Sequence, residues 1–134
     1  MSKKKLVVMV DDDEMQLSIL GMILRTKGFE VLAYNSPERA LHDFETRYFN
    51  RPVDLLMTDL DMPVLNGNEL CREVKKLDSQ VSCLMVTAAS KLPQPMYADQ
   101  WLRKGQFTVA RLIDTVKTMT ARKRGPKAKV SDAA

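Results

Sequence analysis

Carboxylates follow two of the most apolar runs in the chain. They are residues 11–14 (DDDE) after KLVVMV, and Asp59 and Asp61 after VDLLMT. Like charges at such close spacing repel each other, and an apolar neighbourhood raises the free energy of each ionised form. Either these acids only turn the chain into solvent, or a cation lies among them.

A hydroxyl and an ammonium group stand in comparable positions further along. Thr87 follows the run VSCLMV, and Lys104 follows QWLR. Hard carboxylate oxygens at a tight site suit Mg²⁺, which keeps several waters and often bridges a phosphoryl oxygen. A hydroxyl and an ammonium group suit the remaining oxygens of that group. Because an Asp carboxylate can act as a nucleophile and form an aspartyl phosphate, the set predicts a site that carries a phosphoryl group.

The elements that must bring these residues together can be read from apolar spacing. Short β-branched or apolar runs predict strands at 5–10, 30–34, 53–59, 81–86 and 100–103. Apolar residues three and four apart predict helices at 14–27, from Ser36-Pro37 onward, after Asn66-Gly67-Asn68, and from about 109 to 119.

This alternation of strand and helix predicts the fold class. We expect an α/β, doubly wound, five-stranded parallel sheet with helices on both faces and right-handed crossovers. In such a fold, ligands bind in the crevice beyond the carboxyl ends of the strands. The carboxylates, Thr87 and Lys104 all follow strands, so they are expected to meet at that edge.

Composition and charge limit the possible classes of protein. The chain has 134 residues and a net charge of +4, but residues 1–116 hold 15 bases and 16 acids, whereas residues 117–134 hold six bases and one acid. The body is therefore near neutral, and the basic end at 122–134 is expected to be disordered. No apolar run approaches the roughly 20 residues of a membrane span. The two cysteines form no C-x-x-C motif, which is typical of reduced thiols in a cytoplasmic protein.

The same residues carry a family resemblance. Over about residues 3–121 the chain resembles a response-regulator receiver domain of the CheY-like, flavodoxin-like type. The resemblance rests on an acidic pair after the first strand, an acceptor Asp followed four residues later by Pro and eight later by Gly, a Thr, and a Lys. The matching residues are Asp11, Asp12, Asp59, Pro63, Gly67, Thr87 and Lys104. Several matches in order are far more specific than any one of them.

The resemblance implies a role for each site residue. Asp59 would accept phosphate from a histidine kinase or phosphotransfer protein. Asp12 and Asp59 would bind Mg²⁺ with the backbone carbonyl of Asp61, and Asp11 would act through water. Thr87 and Lys104 would bind phosphoryl oxygens. The switch pair would be Thr87 together with Trp101, the aromatic residue three positions before the Lys. The output would be contact with a downstream protein target, and the chain would catalyse only its own phosphorylation and dephosphorylation.

Two departures from the family pattern affect the expected output. Gly105, rather than the usual Pro, follows Lys104. The interval before the fifth strand is several residues shorter than usual and contains Pro93 and Pro95, which disfavour a helix interior. We therefore expect the fourth helix, between the fourth and fifth strands, to be short or missing.

Three other functions compete with this interpretation. A degenerate receiver that acts only as a phosphorylation-independent docking module is favoured by the short interval and opposed by the complete set of site residues. A haloacid-dehalogenase-type phosphatase would use Asp59 and Asp61 in its D-x-D motif, but the acids after Asp61 are isolated. Nucleic-acid binding by the basic end would be unspecific, because the sequence holds no reading module.

Overall fold

The computed structural model describes residues 3–121. Residues 122–134, for which the sequence predicts disorder, lie outside the described part. The elements are β1 (Leu6–Val10), α1 (Glu14–Thr26), β2 (Glu30–Tyr34), α2 (Pro37–Glu45), β3 (Leu55–Thr58), α3 (Gly67–Leu77), β4 (Ser82–Thr87), β5 (Gln100–Arg103) and α4 (Val109–Thr120). No helix within 3–121 is long and apolar enough to cross a membrane.

The five strands form one parallel sheet in the order β2-β1-β3-β4-β5. The predicted fold class is confirmed. Every residue of β1, β3 and β4 is buried, which agrees with their continuous apolar runs. The two outer strands are partly exposed, and their sequences are correspondingly more polar.

Helices cover the sheet on both faces and divide the core in two. On one face α1 and α4 pack against alternate strand residues, with Leu24 and Leu112 fully buried. On the other face α2 and α3 contribute Ala40, Leu70 and Val74. Because successive side chains of a strand point to opposite faces, each fully buried strand supplies both halves of the core.

Side-chain caps fix where two of the helices begin. Asp13 Oδ1 accepts from the backbone N–H of Met15 at 3.0 Å, and Ser36 Oγ accepts from that of Arg39 at 3.3 Å. Both residues are preferred helix N-caps, and both beginnings agree with the sequence prediction. The cap at Asp13 matters for the site, because it turns the chain immediately after Asp11 and Asp12.

No helix lies between β4 and β5, as the two prolines predict. The irregular segment 88–99 is held against α3 instead. Asn68 donates to the carbonyl of Pro95 at 3.1 Å and accepts from the N–H of Tyr97 at 2.8 Å. Asp99 pairs with Lys75 at 2.8 Å and also accepts from a strand amide in β4. These polar contacts, together with Tyr97 and Ala98 packed against the core on this face, hold the segment in the absence of a helix.

Candidate functional site

The strand register brings the chemistry-bearing residues to one end of the sheet. Val10 of β1 is level with Thr58 of β3, so Asp11 and Asp59 follow side by side. The N–H of Asp59 donates to the carbonyl of Val10 at 3.0 Å, which extends the pairing past the last strand residue. On the other side of β3, the register of β4 continues so that Thr87 is level with Leu60. The expectation that these residues meet at this edge is confirmed.

Three carboxylates converge there. One oxygen from each of Asp11, Asp12 and Asp59 lies within 4.8 Å of the other two. Asp11 and Asp59 are buried, whereas Asp12 is exposed. Like charges this close, with two of them removed from water, are unfavourable unless positive charge is near. The cluster can therefore bind a cation.

Backbone amides orient the two buried carboxylates. Asp11 Oδ1 accepts from the N–H of Asp13 at 2.9 Å, and Asp59 Oδ1 accepts from that of Leu60 at 2.8 Å. In each side chain this leaves Oδ2 to face the centre of the site. Both carboxylates are thus fixed by the loops that follow their strands and cannot easily turn away.

Lys104 supplies positive charge directly to this cluster. Its ammonium Nζ lies 3.2 Å from Asp11 Oδ2 and 3.4 Å from Asp59 Oδ2. Its backbone N–H donates to the carbonyl of Thr87 at 2.9 Å, which anchors it to the end of β4. The spacing of the acids predicted only an added cation to offset their charge. The protein already offsets part of their charge with its own lysine.

Burial and the attraction between opposite charges act in opposite directions on the pKa values of Asp59 and Lys104. Burial raises the pKa of Asp59, and Asp11 raises it further, while Lys104 opposes both. Burial alone would lower the pKa of Lys104, but the two carboxylates outweigh it, so its pKa lies above the ordinary value. The lysine therefore stays charged at neutral pH, and the Asp59 carboxylate depends on positive charge to remain ionised.

The threonine at the end of β4 is fully buried. Thr87 Oγ1 accepts from the backbone N–H of Ala89 at 3.0 Å. This bond folds the chain back immediately after the strand. The hydroxyl is thus held by the first residues of segment 88–99.

Gly67 brings the beginning of α3 against the backbone of Asp59. A Cβ atom at this position would lie 1.9 Å from the Asp59 carbonyl oxygen, and the Gly67 N–H donates to the carbonyl of Leu60 at 2.8 Å. Thr58 Oγ1 donates to the same Asp59 carbonyl at 2.8 Å. The loop that follows Asp59 is therefore held between the beginning of α3 and the end of β3.

Two of the predicted site residues lie outside this cluster. Asp61 is exposed, and its carboxylate does not belong to the group of three. Its backbone carbonyl remains a predicted ligand. Trp101 lies on the outer strand β5 with 37% of its surface exposed.

Sequence reasoning missed Arg103, which contacts both Trp101 and the loop after Thr87. The available signal was strand alternation, since residues 101 and 103 of one strand point to the same side. It also missed Asn68 and Asp99, which hold segment 88–99. Their partners lie in irregular backbone, and no periodicity predicts such contacts.

The donor set fits a small, hard divalent cation. Asp11, Asp12 and Asp59 offer carboxylate oxygens alone, without the thiol or imidazole ligands that zinc or copper would favour. The exposed position of Asp12 leaves one side of the cluster open to water and to a second molecule. Mg²⁺, which retains waters and prefers few protein carboxylates, fits this arrangement.

Comparison with known proteins identifies a family and several relatives. Residues 7–117 match the model of the response regulator receiver domain. The transcriptional regulatory protein PrrA of Mycobacterium tuberculosis is 33% identical over 122 residues, covering 87% of this chain and 50% of that protein. The sensor kinase/phosphatase LuxN of Vibrio campbellii is 32% identical over 84 residues, covering 63% of this chain and 9% of that protein. The chain thus spans half or less of these two relatives.

A solved structure gives the same result for the fold. The response regulator TrrA of Thermotoga maritima, determined in complex with Mg²⁺-BeF, superimposes with a TM-score of 0.74 at 26% sequence identity. The match covers 86% of this chain and 98% of that one. The whole domain, and not one motif, is therefore shared.

Proposed function

The chain belongs to the response regulator receiver family of two-component systems, and on that premise we propose that Asp59 accepts a phosphoryl group from a phosphohistidine on a partner protein. The observation that carries the proposal is the position of the Asp59 carboxylate. One of its oxygens lies within 4.8 Å of an oxygen of Asp11 and of Asp12, and its Oδ2 lies 3.4 Å from the Lys104 ammonium. A buried, oriented carboxylate next to a fixed cation is suited to attack an electron-poor phosphorus atom.

In the proposed step an oxygen of Asp59 forms a bond to phosphorus. The bond between phosphorus and the donor imidazole nitrogen breaks, and its electron pair leaves with the imidazole. The phosphoryl oxygens carry negative charge throughout, so catalysis consists mainly of positioning and of charge stabilisation. Lys104 supplies a charge already in place, and the Thr87 hydroxyl is the proposed hydrogen-bond donor to another phosphoryl oxygen.

The proposed Mg²⁺ ligands are Asp12, Asp59 and the backbone carbonyl of Asp61, with Asp11 acting through water. When bound, the ion would supply positive charge that offsets the carboxylates and the incoming phosphoryl oxygens. The complex of TrrA with Mg²⁺-BeF supports this assignment, since that protein shares the fold at 26% identity. Because Asp12 is exposed, the proposed ion site is accessible from solvent.

The proposed partners follow from the family. A histidine kinase or phosphotransfer protein would supply the phosphoryl group, and a downstream protein target would receive the signal. LuxN is a sensor kinase/phosphatase and PrrA a transcriptional regulatory protein, so matching segments occur at both stages of such a pathway. The activity of any longer protein that contains this segment belongs to the same proposal.

Intact mass after incubation with acetyl phosphate and Mg²⁺ tests the proposal. The protein should gain the mass of one phosphoryl group, and Asp59→Ala should abolish the gain. Asp61→Ala is the matched control, because it removes a neighbouring exposed carboxylate but keeps the backbone carbonyl. A gain that survives in Asp59→Ala would place the acceptor elsewhere.

One observation favours a second candidate, a docking module that takes no phosphate. The helix between β4 and β5 is missing, and segment 88–99 takes its place. A native protein that melts cooperatively but gains no mass with acetyl phosphate or with a phosphorylated donor would support that candidate.

A further inference from the structure

Arg103 occupies a position between the site and the surface of the outer strand. Trp101 and Arg103 are two residues apart on β5, so their side chains point to the same side of the sheet. The Arg103 guanidinium carbon lies 5.0 Å from the centre of the Trp101 ring, within the range of a cation–π contact. The same guanidinium donates through Nη1 to the backbone carbonyl of Ala89.

Ala89 is held from a second direction. Its N–H donates to Thr87 Oγ1 at 3.0 Å, while its carbonyl accepts from Arg103. A continuous series of contacts therefore runs from the buried Thr87 hydroxyl through the Ala89 backbone and the Arg103 guanidinium to the exposed indole of Trp101. Movement of any one of these groups would therefore change the contacts of its neighbours in the series.

An arginine side chain can make both contacts at position 103, whereas a lysine side chain cannot. The guanidinium is planar and carries five N–H donors, so it can stack on an aromatic ring and donate in its own plane to a carbonyl at the same time. A lysine ammonium could take either contact but would present no flat surface to the indole. The two contacts of Arg103 thus fix its own position as well as those of its partners.

We propose that Arg103 is a positioning residue that couples the Thr87 hydroxyl to Trp101. Through Ala89 it holds the backbone that places the hydroxyl, and through the stacked guanidinium it holds the indole. This inference rests on the proposed phosphorylation of Asp59 for its biological use. A phosphoryl group that attracts the Thr87 hydroxyl would move Ala89, release or shift Arg103, and change the environment of Trp101.

The contacts of Arg103 should favour the unphosphorylated arrangement of the site. Contacts made in the unphosphorylated arrangement stabilise that arrangement, so removing them shifts the population toward the other one. Loss of one partly exposed cation–π contact corresponds to a change of about two- to five-fold in such an equilibrium. Arg103→Gln should therefore loosen both ends of the series before any phosphate is added.

The first measurement uses the unphosphorylated full chain. Exchange of the Ala89 amide hydrogen, followed by NMR, should be about two- to five-fold faster in Arg103→Gln. Quenching of Trp101 fluorescence by acrylamide should increase in the same variant, and Arg103→Lys should recover only part of both effects. Arg111→Gln is the matched control, because Arg111 lines the same surface cleft beside Trp101 from α4, and it should leave both readouts unchanged.

The second measurement adds acetyl phosphate and Mg²⁺ and records intact mass and Trp101 emission together. For equal mass gain, Arg103→Gln should give a smaller emission change than the wild type. Unchanged Ala89 exchange and Trp101 quenching in Arg103→Gln, or equal changes in Arg111→Gln, would overturn the coupling even if the mass gain is normal. Absence of mass gain in every protein, with the Ala89 and Trp101 effects present, would instead refute the proposed function and leave the positioning role standing.

Discussion

Replacing Gly67 by alanine should displace the loop that follows Asp59, the proposed phosphoryl acceptor. A Cβ on Gly67 would lie 1.9 Å from the carbonyl oxygen of Asp59, whereas real Cβ atoms essentially never approach closer than 3.0 Å. The difference requires a movement of at least 1.1 Å by α3 or by the loop. The obstacle is backbone, and backbone cannot rotate aside as the end of a side chain can.

Two effects of Gly67→Ala follow from that movement. Overpacking of this kind costs about 1–3 kcal/mol of unfolding free energy, which corresponds to a melting temperature lower by about 4–12 °C in a domain of this size. A displacement of about 1 Å at the acceptor is also sufficient to slow phosphorylation by up to about 100-fold. Thermal melting and the rate of mass gain with acetyl phosphate and Mg²⁺ measure the two effects separately.

Gly21→Ala is the matched control for this substitution. A Cβ on Gly21 in α1 would lie 3.2 Å from the end of the Arg25 side chain and in ordinary contact, at 3.9 Å, with Met9 Sδ. Because that side chain can move and alanine favours a helix interior, the control should be neutral or more stable. A Gly67→Ala protein with the melting temperature and phosphorylation rate of the wild type would refute the proposal that Gly67 fixes the loop after Asp59.

Three further predictions concern the charges and the irregular segment. Lys104→Met should lower the unfolding free energy by about 1–3 kcal/mol without metal, because the carboxylates lose their compensating charge. The loss should be smaller with Mg²⁺. Equal losses in thermal melts with and without Mg²⁺ would contradict this prediction. Mg²⁺ should raise the melting temperature of the wild type by mass action. Asp12→Ala should remove that rise. A rise that persists in full in Asp12→Ala would exclude Asp12 as a ligand. Hydrogen exchange should be fast at residues 90–95 and slow at Asp99, whose amide bonds a carbonyl of β4; protection of 90–95 equal to that of α4 would be inconsistent with an irregular segment.

The sheet and the meeting of its strand ends could be predicted from the sequence because each depends on a periodic signal. Continuous apolar runs identified the three central strands, and strand–helix alternation implied a parallel sheet. Once the strands are parallel, their carboxyl ends must share an edge. The position of Asp11, Asp59 and Lys104 at this one edge of the sheet follows from that topology.

The contacts that depend on irregular backbone could not be predicted. The direct approach of Lys104 to two carboxylates depends on how the chain leaves β5, and the bond from Arg103 to Ala89 depends on the turn after Thr87. Prolines at 93 and 95 excluded a helix there, but they did not indicate how Asn68 would hold the replacement. Such contacts are fixed by the path of one loop over another, and a single sequence carries no periodic record of it.

Chemical trapping directly tests whether Asp59 is the phosphoryl acceptor. The protein is incubated with acetyl phosphate and Mg²⁺ and then reduced with borohydride, which converts an aspartyl phosphate to homoserine, and peptide mass spectrometry locates the modified residue. We expect homoserine at position 59 alone, dependent on Mg²⁺ and absent from a sample without acetyl phosphate. Homoserine at position 11, 12 or 61, or no homoserine in a protein that is fully folded, would contradict it.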